Sequence, residues 1–598
     1  MSPTVSARSR DLGPALQREA TLLGVETTFT SAAGARVESD PQSVARVVEV
    51  LRADRRSDAT SLLDEVIIAG GPADVRVACP DLDRFDDAEL ALADGTVLAR
   101  RDIAGSWPTL PLGCHELAVA ASGGAQARAT VVVAPETMPT MTGRRSGLFT
   151  PAFGLWSNDD PLPAYHHLGD LAAALAARRV DVLFTLPLYD LFLDEPFDPS
   201  PYSPVSRLHW NEVYLDDASL PPWPLPATVH DPRVDLASLA VRRRAQLLAA
   251  ASQLLPTVTD ELDSFAAQRP DVVGYARFRT ATAPAGDHPT ALVERSHVLA
   301  QFLAHRQLSS AATRGASLGL DLPVGSHRAG YETWAHPGLF AEGFSVGAPP
   351  DPLALDGQDW GFPPQLPGAA RRSGYDLWRR LVERASEHAG VVRIDHVMAV
   401  HRLWWIPPGE PSSRGVYVRY PADELLAVIA AGAAVHGTVV VGENLGTVPS
   451  EVDEAMARWE MLGMYEEGFH LDDGTLPVVP ARSVAGIRTH DMPAFATAIG
   501  AVEAPAHRAA MPPGRRWDDP GDAVELVLER LAASDAALVV ADLDDLTGGT
   551  EPHNEPGRPG PSTWRRRLAA PFDKVLAGGD VERRLGMITT RRATEATR

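Results

Sequence analysis

The sequence predicts an α/β protein built on a (β/α)8 TIM barrel with inserted helical subdomains, preceded by a small helical segment and a β-sandwich domain. From residue 145 onward, short apolar runs alternate with helical stretches, which is the pattern of a parallel sheet covered by helices. No glycine-rich dinucleotide or phosphate loop follows any of these runs. This favours a closed barrel, with an open doubly wound sheet as the alternative.

Two regions precede the barrel. Residues 1–64 contain the helical runs PALQREATLLGV and ARVVEVLRAD, so we expect a small helical segment there. Residues 65–136 change to short alternating runs parted by Gly, Pro and Asp, such as HELAVAAS and ATVVVAP, and these predict an antiparallel β-sandwich. The polar stretch ETMPTMTGRRSG is then predicted to be a linker.

The barrel itself is predicted over residues 145–598. Its strand-like runs include VDVLFTLPL, GVVRID, TVVVGE, VAGIRTHD and AALVVADL, and helical runs such as ADELLAVIAAGAAVH stand between some of them. The region around 220–318 contains too many helical runs for one crossover connection. We therefore expect an inserted helical subdomain there.

The composition restricts the classes of binding partner and the cellular compartment that we expect. The formal net charge is -23 at pH 7, whereas nucleic acids and anionic membranes require a basic surface, so a neutral substrate fits better. No run is long and apolar enough to span a bilayer, and the start lacks the apolar core of a secretory signal. Because Cys79 and Cys114 form neither a disulfide framework nor a metal cluster, we predict a cytoplasmic protein.

Three carboxylates follow predicted strands: Asp395 after GVVRI, Glu443 after TVVVG and Asp491 after VAGIRTH. The carboxyl ends of barrel strands converge on one rim, where these acids could share an active site. Paired carboxylates suit glycosidic bond cleavage, because one protonates the leaving oxygen while the other attacks or balances the positive charge of the transition state. Arg393 would face the same side of its strand as Asp395 and hold that aspartate ionised.

These residues also have a structural interpretation. An aspartate after a strand is commonly a helix cap or a turn residue. His396 and His490 could be satisfied by hydrogen bonds in the core, and Trp404 and Trp405 are typical core side chains. Three rim acids, two of them with an adjacent histidine, favour a functional site, but spacing alone leaves both interpretations open.

Several longer segments carry a family resemblance. They are RIDHVMAVHRLWWIPPGEPSSRGVYVRYPADELL, VVVGENLGTVPSEV, RTHDMPAF, LPLYDLFLDEPFDPSPYSPVSRLHWNEVYLD, LGLDLPVGSHRAGYETWAHPGLF, SVGAPPDPLALDGQDWGFPP and TEPHNEPGRPGPSTWRRRL. They closely resemble segments of the amylomaltases, the 4-α-glucanotransferases of glycoside hydrolase family 77, and run in the family's order. LPLGCHEL is similar to the amino-terminal sandwich of the longer bacterial members.

The resemblance implies a retaining transfer of α-1,4-glucan segments, from maltooligosaccharides or longer glucans, to the 4-hydroxyl of an acceptor sugar. By position, Asp395 would be the nucleophile, Glu443 the general acid/base and Asp491 the transition-state stabiliser. The positions expected to contact glucan are Arg393, His396, His490, Asp321, Tyr202, Ser200, Trp360 and Asn554. No metal or organic cofactor is implied, and we expect a monomer or a homodimer.

The chain departs from the family pattern at a few positions. Asn444 follows the acid/base glutamate where an aspartate is usual, and Asp359 replaces the asparagine of GQNWG. Losing the negative neighbour at 444 is expected to lower the pKa of Glu443. Glu466 and Glu467 occupy a segment that is normally more apolar. An α-glucan hydrolase, a transferase with altered acceptor specificity and a non-catalytic glucan-binding protein therefore stay as alternatives.

Overall fold

Eight parallel strands form the centre of the molecule. The computed structural model describes residues 12–55, 62–76, 79–103, 109–122, 124–194, 197–283, 287–351, 354–557, 560 and 562–593. The strands, first to eighth, are Arg145–Phe149, Val182–Phe184, Ser317–Leu322, Val391–Ile394, Val439–Gly442, Gly463–Glu466, Ser483–Gly486 and Leu538–Asp542.

These strands close into a barrel. Each hydrogen-bonds to its neighbours in chain order from the first to the fifth and from the sixth to the eighth, and the eighth pairs with the first. The fifth and sixth strands meet through a parallel bridge between Val441 and Leu462. The (β/α)8 barrel is therefore confirmed, and the open doubly wound sheet is excluded.

Alternate residues of the strands fill the barrel interior. They form an apolar cluster that includes Val182, Val391, Val441, Val484 and Leu538. Side chains alternate along a strand, so Arg393 and then Asp395 follow Val391 on the inward face. The interior thus changes from apolar to charged towards the carboxyl ends of the strands.

Helices cover the outside of the barrel. Helix Ala422–His436 buries every residue from Leu425 to Ala433, because the barrel lies on one side of it and the amino-terminal sheet on another. Further helices of this region are Tyr165–Ala176, Tyr331–Ala335, Pro367–Arg372, Asp376–Ser386, Ser450–Arg458, Phe495–Ala498, Pro505–Ala510, Pro520–Ala533, Leu543–Thr547, Phe572–Leu576 and Gly579–Ala593.

The connection between the second and third barrel strands carries the region where we predict an insertion. It begins with the antiparallel pair Tyr189–Asp190 and Ser206–Trp210. Four helices follow, of which the last packs against the first and the third. Its exact limits, 220–318, stay a prediction. The four helices are Leu236–Ser252, Pro256–Gln268, Pro270–Thr282 and Thr290–Ala312.

The amino-terminal helices, Pro14–Leu22 and Pro41–Arg55, pack on a second inserted structure. Their residues Val44 and Val47 share an apolar cluster with Trp405 of a four-stranded antiparallel sheet. Trp404 and Trp405 are both buried, in agreement with their interpretation as core side chains. The sheet strands are Ser345–Ala348, Gln358–Asp359, Arg402–Ile406 and Val416–Arg419, and a hairpin of Thr28–Thr30 and Arg36–Glu38 lies between the two helices.

A five-stranded sheet precedes the barrel. Its first strand is parallel to its neighbour and the others are antiparallel. The described residues form one sheet here, instead of the two facing sheets of the predicted sandwich, because helix Ala422–His436 covers the face that carries Val66, Ile68 and Val132. The strands are Val66–Ile68, Asp87–Ala91, Val97–Ala99, Gly113–Ala121 and Ala125–Val133, with the short helix Arg100–Ile103 after the third.

The other face of that sheet has an apolar cluster of its own, which includes Leu117 and Val131. The domain limits 1–64, 65–136 and 145–598 stay predictions. Among the described residues, no helix has both the length and the apolar composition that a bilayer crossing requires.

Candidate active site

The carboxyl ends of the fourth, fifth and seventh strands carry the three predicted acids. Asp395 and Glu443 directly follow their strands, and Asp491 lies five residues beyond Gly486. The backbone ladder continues into the first two, because Asp395 N donates to Leu322 O at 3.0 Å and Glu443 N donates to Ile394 O at 3.0 Å. Their backbones are therefore held by the barrel sheet itself.

Arg393 lies at the centre of a charged group at this end of the barrel. Its Nη1 donates to both carboxylate oxygens of Asp321, at 2.6 and 2.8 Å, and its Nη2 is 3.0 Å from Asp395 Oδ1. Tyr202 donates its hydroxyl to Asp321 Oδ2 at 2.6 Å. The guanidinium thereby orients Asp395 and ties the third strand to the fourth.

Glu443 is joined to the loop that follows the fourth strand. Its Oε2 accepts a hydrogen bond from the backbone N of His396 at 2.8 Å. His396 is in the left-handed region, with φ 46°, which is uncommon for a residue other than glycine. This turn brings the Glu443 carboxyl against the peptide that adjoins Asp395, so the fourth and fifth strands present their acids to the same space.

Asp491 belongs to a second polar group on the seventh-strand side. Asn554 donates its amide nitrogen to Asp491 Oδ1 at 2.6 Å, and His490 Nε2 is 3.4 Å from Asp491 Oδ2. The ring of His490 stacks on Tyr202 with centroids 4.6 Å apart, and its Nδ1 lies 3.3 Å from the Tyr202 hydroxyl. Tyr202 therefore connects this group to Arg393 through Asp321.

We refer to Asp321, Arg393, Asp395, Glu443 and Asp491 as the mouth cluster. Ser200 and Trp360, also predicted to contact glucan, lie around it. Ser200 Oγ accepts from the backbone N of Tyr202 at 3.3 Å, so it positions the tyrosine. The Trp360 ring contacts the His396 ring edge to face, with centroids 5.1 Å apart. Their direct contact with a glucan stays a prediction.

The acids of the mouth cluster differ in protonation. Burial, together with the nearby charge of Asp395, raises the pKa of Glu443 to about 8, although Arg393 acts in the opposite direction. Burial also raises the pKa of Asp395 to about 6, and there Arg393 again opposes the rise. At neutral pH, Glu443 is therefore largely protonated while Asp395 is largely ionised.

Asp491 behaves differently from both. Burial would raise the pKa of Asp491, but the adjacent His490 and the hydrogen bond from Asn554 hold it at about 2. Its side chain is 48% exposed, compared with 21% for Asp395. The site thus presents, in one place, a carboxyl group that stays anionic, one that is largely ionised at neutral pH and one that is largely protonated.

The effect of Asn444 on the pKa of Glu443 stays a prediction, because it is a difference from an aspartate at the same position. In this chain the pKa of Glu443 lies above its ordinary value, because burial and Asp395 raise it. Asn444 has a connecting role: its Nδ2 donates to Asp453 Oδ1 at 3.0 Å and its Oδ1 accepts from Met464 N at 2.9 Å. An ionised aspartate at this position could accept from Met464 N but could not donate to Asp453.

Sequence reasoning missed two further neighbours of the site. Met464, on the inward face of the sixth strand, accepts from Arg393 Nε at 3.3 Å. Trp564 lies with its ring centroid 5.7 Å from Tyr202 and 5.8 Å from His490. Strand alternation could have indicated Met464, whereas Trp564 lies in an irregular segment and has no pattern that points to the mouth.

None of the three predicted catalytic acids is in a grouping that offers three metal ligands, within the part of the chain that the structure describes. Their oxygens are held by a guanidinium, a backbone N–H, an imidazole and an amide. The mouth presents carboxyl groups whose protonation states differ.

Comparison with known proteins agrees with this geometry. A family model described as 4-alpha-glucanotransferase, glycoside hydrolase family 77, matches residues 287–572. The 4-alpha-glucanotransferase of Mycobacterium tuberculosis is 29% identical over 713 aligned positions, which cover 96% of this chain and 96% of that protein. That of Haemophilus influenzae is 27% identical and covers 81% of this chain and 80% of its own length.

Two solved structures show the same fold. Amylomaltase from Corynebacterium glutamicum superposes with a TM-score of 0.80 at 21% identity, over 96% of this chain and 99% of that one. Amylomaltase from Streptococcus agalactiae in complex with acarbose superposes with a TM-score of 0.64 at 21% identity, over 75% of this chain and 99% of that one. The chain is thus similar over nearly its whole length to 4-α-glucanotransferases, and about half of it matches the model of glycoside hydrolase family 77.

Proposed function

We propose that this protein is a retaining 4-α-glucanotransferase that moves α-1,4-glucan segments between maltooligosaccharides. The observation that carries the proposal is the pairing, at one barrel mouth, of a carboxyl group that is ionised at neutral pH with one that is protonated. A retaining reaction requires this combination, because one group attacks while the other donates a proton.

In the first step, Asp395 attacks the anomeric carbon of the donor glucan. The C–O bond to the departing glucan breaks as the bond to the Asp395 carboxylate forms, and Glu443 transfers its proton to the departing oxygen. Arg393, 3.0 Å from Asp395, orients the nucleophile and keeps it ionised. The products are a covalent glycosyl-enzyme, a free glucan and a Glu443 carboxylate.

In the second step, the Glu443 carboxylate takes the proton from the 4-hydroxyl of an acceptor sugar. That oxygen attacks the anomeric carbon and displaces Asp395, which restores both carboxyl groups to their first states. Two inversions leave the configuration of the bond unchanged. Water in place of the acceptor would give hydrolysis, so transfer depends on the acceptor excluding water.

Asp491 is proposed to stabilise the positive charge that develops on the sugar in both steps. Its low pKa keeps it anionic throughout the cycle. The histidine and the amide that hold it also fix its position, so little reorganisation is needed when the charge appears.

Three further properties belong to the proposal. Neutral maltooligosaccharides are compatible with the formal net charge of -23. A cytoplasmic location is supported by two cysteines that are both free thiols, Cys79 and Cys114. The proposed quaternary state is a monomer or a homodimer.

Incubation with maltotriose tests the proposal. A transferase gives glucose together with maltopentaose and longer products, whereas a hydrolase gives glucose and maltose alone. Unchanged maltotriose combined with measurable glucan binding would support the non-catalytic alternative. Chromatography of the products over time separates the three outcomes, and the absence of oligosaccharides longer than the donor would contradict transfer.

A further inference from the structure

A polar cluster outside the mouth lies where the first barrel strand leads into its helix. His166 and His167 are in the first turn of helix Tyr165–Ala176, and Asp160 is in the loop before it. One ligand atom from each of the three lies within 4.8 Å of the other two. Because neighbouring residues on a helix usually point apart, their convergence needs a reason.

The spacing in this cluster is slightly wider than that of ligands around a bound metal ion. His166 Nε2 is 3.8 Å from Asp160 Oδ2, which is too long for a hydrogen bond. Tetrahedral zinc with bonds of about 2.0–2.1 Å separates its ligand atoms by roughly 3.3–3.5 Å. A small inward movement of the two side chains is enough to share one ion.

His166 is oriented as a metal ligand. Its Nδ1 lies 3.0 Å from Asp216 Oδ1, and the same oxygen accepts from the His166 backbone N at 3.1 Å. A carboxylate on Nδ1 fixes the proton there and leaves Nε2 with a free lone pair. Metal-binding histidines in proteins have this outer partner.

His167 provides an independent observation. Its side chain is 0% exposed, and neither ring nitrogen has a hydrogen-bond partner. A buried imidazole with two unsatisfied nitrogens is unfavourable unless something else engages one of them.

Two other groupings of potential ligands lack these features. In one, Asp542 and Asp544 already face Arg488 and Arg566. In the other, His305 and His388 bond to each other at 3.2 Å and Glu387 faces Arg269 at 3.1 Å. Within the described part of the chain, His166 is the only cationic side chain within ion-pair distance of the Asp160 carboxylate.

We propose that Asp160, His166 and His167 bind one divalent transition-metal ion, with Zn²⁺ preferred. Two imidazole nitrogens and one carboxylate oxygen suit zinc, and a water molecule would complete four ligands. His166 and its outer partner Asp216 line a surface cavity of about 580 Å³, so this side of the cluster faces solvent. The bound ion would tie the loop after the first strand to the start of its helix.

The test is direct binding to the full-length protein without a histidine tag. Zn²⁺ affinity is measured by competition with a chromophoric chelator, and Co²⁺ supplies the visible absorption typical of tetrahedral sites as a second readout. We expect one ion per chain and a loss of about tenfold or more in affinity for His166→Ala and for Asp160→Asn. His305→Ala is the matched control, and its affinity should equal that of the unmodified protein.

Three results would overturn the proposal. They are no stoichiometric Zn²⁺ binding by the unmodified protein, unchanged affinity in both His166→Ala and Asp160→Asn, or loss of binding in His305→Ala. Circular dichroism of each variant checks that it is folded. Asp160 and His166 are partly exposed, so these substitutions avoid the buried His167.

Discussion

Two groups of arginines and acids lie at the carboxyl ends of the barrel strands. We assign the first to catalysis and the second to stability of the fold. In the mouth cluster, Arg393 serves both Asp321 and Asp395. The second group lies at and after the ends of the seventh and eighth strands, and we call it the eighth-strand network. It consists of Arg488, Arg566, Asp542, Asp544 and Asp545.

The two groups differ in exposure and in the balance of charge. In the eighth-strand network, Arg488 lies 3.0 Å from Asp542 and 2.8 Å from Asp545, and Arg566 holds Asp544. The Asp542 and Asp545 side chains are 6% and 1% exposed, whereas that of Asp395 is 21% exposed. A buried acid that loses its arginine is left as an uncompensated charge, so the fold is sensitive to the loss of Arg488, while catalysis needs acids that a substrate can reach.

The largest effect is expected at the nucleophile. Asp395→Asn keeps the shape of the side chain but removes the attacking charge, so kcat should fall by about 10⁴-fold or more. Because Asp395 is half-buried at the mouth, the melting temperature should change little. Initial rates with maltotriose and a thermal unfolding curve check both parts. Wild-type-like turnover would contradict the assignment of Asp395.

The second-largest effect is expected in the eighth-strand network, where a substitution should change stability but not activity. Arg488→Met leaves Asp542 and Asp545 buried without their partner, and removing one member of a buried ion pair costs about 3–5 kcal/mol. We expect a lower free energy of unfolding by this amount and nearly normal kcat for the protein that remains folded. Denaturant unfolding and rates per folded molecule separate the two. A normal unfolding midpoint would show that the eighth-strand network is not structural.

The pH dependence should reflect the mouth cluster. Asp395 must be ionised, so activity should fall as the pH drops through about 6. Glu443 must be protonated, so activity should fall as the pH rises through about 8. The expected profile of kcat/KM is a bell with its maximum between these values. A profile that is flat from pH 5 to pH 9 would contradict the paired roles.

A smaller effect is expected at Asn444. Asn444→Asp adds a negative charge beside Glu443, which should raise the pKa of Glu443 and move the alkaline limb to higher pH. It also sets a carboxylate against Asp453, at a cost of about 1 kcal/mol in stability. Asn444→Ala is the control, since it also loses the donated hydrogen bond to Asp453 but adds no charge. An alkaline limb that stays in place in Asn444→Asp would refute the electrostatic argument.

The sequence predicts the mouth cluster better than the eighth-strand network. Asp395 and Glu443 follow apolar strand runs directly, and the closed barrel brings strand ends together, so their meeting is predictable from pattern alone. Arg393 follows from alternation along the same strand. Tyr202 and Asn554 lie in loops far along the chain, and only the family resemblance indicated them.

The eighth-strand network has no such signal. Arg488, after the seventh strand, pairs with Asp542 and Asp545 at the end of the eighth strand. The sequence around Arg488, Arg-Thr-His, contains no pattern that indicates which acids it will contact. The single amino-terminal sheet was missed for a similar reason. Its strands show the alternation of polar and apolar residues that a sandwich also has. The face that a second sheet would cover in a sandwich is covered here by helix Ala422–His436, which lies hundreds of residues later in the chain.

Trapping the glycosyl-enzyme tests the central claim most directly. In Glu443→Gln, α-maltotriosyl fluoride can still react with Asp395, because fluoride leaves without a proton donor, while deprotonation of the acceptor is lost. Intact-mass spectrometry should show one maltotriosyl group per chain, and peptide mapping should place it on Asp395. No adduct, or an adduct on another residue, would contradict the account.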